Sequence, residues 1–283
     1  MRSTIHFMAA EDAFWITRLL GPRQNKKGAS IYRGYGLSEA IFNKARPILE
    51  KTLADGPKIR DEVYEKLKAG GIDVSGGRGM HIFKYWGQEG LLCMGPRQGK
   101  QQTLAILETW SDQKFTPADS NEAFAILAHR YFQSHGPATL RDFAWWTSAT
   151  VAECKKALAA VQPRLASEVV GGQEYFFAPI RTLPKPDSAT AFLLPAFDEY
   201  TVAYADRTAV MQTDDIKKVS YGINPNIIIG DHAVGMWKRV MKGKKAIVQL
   251  QSFAPLATRQ RTAIAKAVDA FGDYTGIPTE LES

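Results

Sequence analysis

At 283 residues, with 45% hydrophobic and 23% charged side chains, the chain has material for one large packed domain or two to three small ones, and wholesale disorder is excluded. Its 36 Lys and Arg against 29 Asp and Glu leave a net charge of +7, which suits a polyanionic partner, nucleic acid above all, and is also compatible with a merely soluble basic protein. Two lone cysteines, Cys93 and Cys154, both in apolar surroundings, argue against a disulfide framework, fit a reducing cytosol and read as inert buried thiols.

The opening "RSTIHFM" alternates like a strand, with Ser3, Ile5 and Phe7 on one face and Thr4, His6 and Met8 on the other. An aromatic helix comes almost at once after it. "SEAIFNKARPILEKTL" places Ile41, Ala45, Ile48 and Leu49 at helical spacing, with Pro47 as a candidate kink. "PKIRDEVYEKLKAGGI" predicts a second helix stopped by Gly70 and Gly71, and "GRGMHIFKYWGQEG" a third. "GLLCMGPRQGKQQTLAIL" then reads as two strands around a turn carrying Arg97, Gly99 and Lys100. Three helices and a hairpin is the order of a winged helix.

The pattern then repeats. "NEAFAILAHRYFQSHG", "ATLRDFAWWTS" and "ATVAECKKALAAV" predict helices, the last two opened by Thr139/Asp142 and Thr150/Glu153 pairs of capping-box type. "LASEVVGGQEYFFAP" is the second hairpin, turning at Gly171-Gly172 between Glu168 and Glu174. Its acidic flanks make the first hairpin the better candidate for touching phosphate. "TLPKPDSAT" (182–190) reads as a linker, and the chain beyond it reads as strand-rich with many turns.

"GRGMHIFKYWGQEGLLCMGP", "HGPATLRDFAWWTS" and "LLPAFDEYTVAYADR", in that order, resemble the winged-helix DNA-binding family that contains the AlkZ/YcaQ-type interstrand-crosslink DNA glycosylases. The resemblance implies an α+β fold of tandem winged-helix domains followed by a C-terminal β-barrel-like domain. It divides the chain into 1–34, the remnant of a first winged helix; 35–112 and 113–181, the second and third; and 182–283, the β-rich domain. It implies double-stranded DNA as partner, alkylated or crosslinked, a cytoplasmic, nucleoid-associated location, and cleavage of an N-glycosidic bond. "RSTIH" resembles the family's Arg-x-Thr-x-His segment inside its first domain, so Met1 is expected to correspond to an internal methionine of longer members. The catalytic Gln-x-Gln or Gln-x-Asp segment of that domain is then expected to be missing, which sets a non-catalytic DNA-binding regulator with a ligand-sensing β-domain beside the glycosylase.

Under that resemblance Thr4 and His6 are the catalytic candidates, lining a pocket for an extruded base or holding water; a surface histidine on a frayed end is the plain alternative. Arg2, Arg78, His81 and Lys84, the hairpin residues Arg97 and Lys100, and the second basic turn with Lys242 and Lys244 are the nucleic-acid candidates. Gln249 and Gln251 in "VQLQSF" have Gln-x-Gln spacing, but residues two apart on a strand share a face by geometry alone. Asp198, Glu199, Asp206 and Arg207 form the densest charged group, read as structural, with Arg207 pairing a buried Asp198. Trp145 and Trp146 read as core and interface. No apolar run can span a membrane, and no metal or cofactor signature stands out.

Overall fold

The computed structural model describes residues 4–111, 115–179, 185, 187–218 and 224–282, without the side chains of 213, 217 and 218. Arg2 therefore lies outside the described residues, as does part of the expected linker. Residues 4–9 form no strand. Alternation alone does not make one: backbone N–H and C=O groups need a ladder partner, and no described strand offers one here.

In chain order the helices and strands begin with α1 (Ala10–Lys27), α2 (Ala29–Gly34), α3 (Glu39–Leu53), β1 (Lys58–Ile59), α4 (Arg60–Ala69), α5 (Arg78–Gln88), β2 (Leu92–Gln98) and β3 (Gln101–Ile106). Then come α6 (Leu107–Trp110), α7 (Ser120–His135), α8 (Leu140–Thr147) and α9 (Val151–Val161). The C-terminal part runs β4 (Ala166–Val170), β5 (Gln173–Phe177), β6 (Ala191–Leu193), α10 (Glu199–Val202), α11 (Thr213–Lys218), β7 (Asn226–Ile229), β8 (His232–Lys242), β9 (Lys245–Ser252), α12 (Thr258–Thr275) and β10 (Thr279–Glu282). These elements form two compact units: the described residues up to Tyr131 with Trp146–Pro163, and Phe132–Trp145 with those from Arg164 on.

In the first unit, α3 runs through Pro47 and buries Phe42, Ala45, Leu49 and Leu53, one helical stripe, against Val63 and Leu67 of α4 and Ile82, Phe83 and Trp86 of α5. Lys58–Ile59, expected as helix, instead pairs with Thr103–Leu104, giving a three-stranded antiparallel sheet ordered β1-β3-β2. The capping box at Thr150 forms as expected, and its Glu153 also accepts two hydrogen bonds from Arg23, at 2.8 and 2.6 Å. Those bonds, first among the causes, hold the Glu153 carboxyl down at about 2. A depressed folded-state value stabilises above the ordinary carboxylate range and is lost as pH falls toward it. The pair is about one-third exposed, so solvent screening keeps the effect small. The drop in melting temperature between pH 5 and pH 3 should therefore be smaller in Glu153→Gln than in the parent; equal drops would show that this pair carries no acid sensitivity.

In the second unit Phe132, Phe143 and Phe176 meet with centroids 5.6 Å apart, joining the ends of α7 and α8 to the β4–β5 hairpin. Beyond it lies a five-stranded mixed sheet, β10-β9-β8-β7-β6, antiparallel except for the parallel β10–β9 pair. α12 lays Ala263, Ile264 and Val268 on Ile227, Ile229 and Val248 of that sheet. Strands and turns are the expectation for this region, so the helix is a departure from it. Its signal lies in "AIAKAVDAF", where Ile264, Val268 and Phe271 recur at helical spacing, and in Gly276, the left-handed C-terminal stop.

Candidate nucleic-acid interface

The first hairpin closes on Gly99-Lys100 between the paired Gln98 and Gln101, with Gly99 at φ +60° in the first loop position. Arg97 and Lys100 are both exposed at this tip. Below it the register shifts between Met94 and Arg97. Thr103 Oγ1 donates to the Pro96 carbonyl at 2.6 Å, and the Gln102 amide donates to that of Gly95. A Cβ on Gly95 would stand 2.6 Å from Thr103 Oγ1, so the kink needs glycine. A bulge of this kind re-aims the strand beyond it and presents Arg97 outward.

The second basic turn has the same grammar. Gly243-Lys244 closes the loop between the paired Lys242 and Lys245, with Gly243 at φ +64°. Lys244 is exposed, whereas Lys242 lies 3.7 Å from Glu282 and Lys245 Nζ sits 2.7 Å from Glu280, so two of its cations are already matched. The β4–β5 tip, by contrast, exposes Glu168 and Glu174.

On α5 the three candidates are unequally available. Arg78 closes the loop ahead of α3: its Nε donates to the Asp73 carbonyl at 3.1 Å, and its guanidinium reaches the carbonyls of Tyr35 and Gly36. His81 lies 4.2 Å from the Tyr35 ring centroid, and burial, with a smaller contribution from Lys84, lowers its pKa, which favours the neutral ring. Lys84 is half-buried. Thr4 and His6 do come together, Oγ1 to Nε2 at 2.9 Å.

The second unit contains a cavity of about 1000 Å³ lined by Met236, Trp237, Lys238, Gln249, Gln251 and Phe271 among others. The Gln-x-Gln pair thus shares a lined space as well as a strand. A further Gln-x-Asp spacing, Gln212–Asp214, absent from the candidates above, lies at the start of α11. Among the described residues no group of three or more His, Cys, Asp or Glu could hold a metal, and no helix is long and apolar enough to cross a membrane.

Residues 1–274 match the family model described as DNA glycosylase AlkZ-like. The chain belongs to this family. Among solved structures it is similar to the Streptomyces sahachiroi DNA glycosylase AlkZ, with a TM-score of 0.71 and 19% identity over 96% of this chain and 77% of that one; at such identity the likeness is one of α+β fold. No curated protein matches the sequence.

Two of the segments that carried the resemblance hold capping and packing contacts in this AlkZ-like chain. Asp198 is half-buried and caps α10, accepting from Tyr200 N at 2.9 Å, rather than pairing with Arg207 as expected. A short carboxylate two residues from the free N–H groups of a helix start is best placed as a cap. Arg207 is the buried member, donating to the Thr201 carbonyl at 2.6 Å and lying 5.6 Å from the Trp145 ring centroid. Trp145 is half-exposed but tied to the Val202 carbonyl at 3.0 Å, and Trp146 is buried against Tyr131. Burial raises both thiols, Cys93 to about 11, as inert cysteines require.

Proposed function

We propose that this AlkZ-like chain holds duplex DNA through tandem winged helices over 35–112 and 113–181, followed by a barrel-like domain over 182–283, and serves base-excision repair in the cytoplasm at the nucleoid. The observation that carries the reading is the bulge-presented, exposed Arg97–Lys100 tip on a three-helix, three-stranded frame. A β-hairpin of this kind reaches phosphate oxygens beside a groove, while α5, with Lys84 as its remaining cation, faces bases or backbone. Lys244 of the second basic turn is a further phosphate contact, Lys242 a weaker one because of Glu282.

Neutralising phosphates releases counterions, so duplex affinity should fall steeply with salt, about tenfold or more between 50 and 200 mM for a handful of contacts. Arg97→Glu with Lys100→Glu should weaken binding by roughly another tenfold at low salt while leaving melting unchanged, since the tip is exposed. Titration of labelled duplex tests both. Salt-indifferent binding, or full affinity in the double variant, would remove the support for this interface.

For the chemistry, the family resemblance gives hydrolysis at the sugar C1′: water adds, the glycosidic bond breaks, and the alkylated or crosslinked base departs. Thr4 and His6 are proposed to position that water. The Gln-x-Gln or Gln-x-Asp segment of the family's first domain is proposed to have no counterpart in residues 1–283, the spacing matches at Gln212–Asp214 and Gln249–Gln251 both lying in the second unit. The cavity there favours a second reading, a DNA-binding regulator whose β-domain senses a ligand. Ligand-dependent duplex affinity without base release would select it.

A further inference from the structure

Phe197 takes a backbone shape that its side chain disfavours. Among the described residues, positive φ is taken by glycines, by Ser148 and by Phe197, which stands at +63°. In the left-handed region Cβ crowds the following carbonyl, so a bulky residue there is an outlier that its surroundings must enforce. Ala196 and Phe197 form a turn between Pro195 and Asp198. A turn whose second central residue has positive φ ordinarily carries glycine or asparagine at that place.

Both ends of the turn are clamped. Before it, Leu194 N donates to the Asn226 carbonyl at 2.9 Å, and the Leu194 carbonyl accepts from Trp237 Nε1 at 2.8 Å. After it, the Asp198 carboxylate accepts from Tyr200 N at 2.9 Å and the Asp198 carbonyl from Val202 N at 3.0 Å. The Tyr200 hydroxyl donates to the Asp231 carbonyl at 2.9 Å. Pro195 restricts its own φ as well. Strain held this firmly costs stability, and it collects where a side chain must be aimed. The side chain aimed here is apolar and 50% exposed. The two carboxylates that follow it are engaged elsewhere: Asp198 caps α10, and Glu199 Oε2 lies 3.6 Å from His135 Nε2. The turn therefore presents an aromatic ring on a rigid mount, in a chain of net charge +7 that belongs to a DNA glycosylase family.

We infer that Phe197 is a stacking wedge: in the bound duplex its ring enters between bases at the damaged step and holds that step open. Apolar side chains unstack base steps in this way, and an aromatic face stacks on any base. The step at a lesion is the cheapest to open, because its stacking is already weakened. A ring fixed in advance has little freedom left to lose on insertion, which is what the clamped turn supplies. The inference rests on the duplex-binding reading above and adds to it a residue that meets bases rather than phosphates.

The probe is a short duplex with a tetrahydrofuran abasic analogue beside 2-aminopurine, whose fluorescence rises when that base unstacks. At saturation the full chain should brighten it about 2-fold or more. Phe197→Ala should abolish the rise and weaken binding about 5-fold or more, the scale of one lost aromatic–base stack, whereas Phe197→Trp should keep both. Phe197→Gly suits the left-handed turn, so it should melt no lower than Phe197→Ala while showing the same loss, which separates loss of the ring from loss of the fold. Arg97→Glu with Lys100→Glu should shift the binding curve and leave the rise at saturation intact. A rise that persists in Phe197→Ala and Phe197→Gly, or saturable binding by the parent without a rise, overturns the inference and leaves the Arg97/Lys100 interface standing. No binding of any duplex at low salt removes the duplex reading, and the wedge with it.

Discussion

Base release from an alkylated or crosslinked duplex should be at least ~100-fold slower with this chain than with the Streptomyces sahachiroi AlkZ on the same substrates, because one positioned acid–base group is typically worth ~10²–10⁴ in rate. Glycosidic hydrolysis needs a held water, a polar group beside the developing charge at the sugar, and a site for the leaving base. Thr4 and His6, 2.9 Å apart, are the pair proposed to hold that water. The Gln-x-Gln and Gln-x-Asp spacings at 249–251 and 212–214 sit in the second unit, apart in sequence from the segment that resembles the family's catalytic region. Slow residual release should fall further in His6→Ala. If His6→Ala leaves it unchanged, the assignment of His6 is wrong. If turnover matches that of AlkZ, the chemistry resides in residues present here that the proposal leaves idle.

What is legible in the sequence depends on whether local pattern and tertiary context agree. Apart from β1, the order from α3 to β3 can be read because periodic apolar positions, glycine stops and the Gly99 turn all favour the same elements; Ala45 and Leu49 are both fully buried as the spacing requires. The strand expected in the opening "RSTIHFM", absent over its described residues from Thr4 on, shows the opposite case, since a period of two says which face a residue would take but not whether a partner strand exists. Arg78 shows a third. Its place on the third helix makes it a nucleic-acid candidate, while its bonds to the carbonyls of Tyr35 and Gly36 carry no sequence signal, because only the folded loop brings those groups within reach. The exposure of Arg97 and Lys100 is more accessible, as a hairpin tip is exposed by its own local geometry.

Asp142→Ala should destabilise the second unit by roughly 3 kcal/mol, the scale expected when several buried donors lose a charged acceptor. The carboxylate is 4% exposed and is filled on both oxygens. Oδ2 accepts from Thr139 N at 2.9 Å and Thr139 Oγ1 at 2.7 Å, closing the turn into α8, and Oδ1 accepts from Ala205 N at 2.8 Å, in the loop ahead of Arg207. One side chain therefore ties "ATLRDF" to "YADR", two of the segments by which the family is recognised. Next to that joint, Tyr204 donates to the His135 carbonyl at 2.9 Å, and burial, with Asp142 as the next cause, pushes its phenol up to about 12, so it stays a donor throughout the neutral range. Truncation to alanine strands the Ala205 and Thr139 amides and opens the turn at once, a loss larger than a surface cap would give. Asp142→Asn keeps one acceptor but places an amide N–H₂ against a donor, so it should fall between parent and alanine. Thr139→Val loses the hydroxyl that both donates to Asp142 Oδ2 and accepts from Asp142 N at 3.2 Å, and its cost should be smaller in the Asp142→Ala background than alone, because the two residues share one network. Urea unfolding of the parent, the two single variants and the double variant gives the cycle. Additive costs, or an alanine variant within about 0.5 kcal/mol of the parent as for an ordinary surface change, would show that this carboxylate does not hold the two segments together.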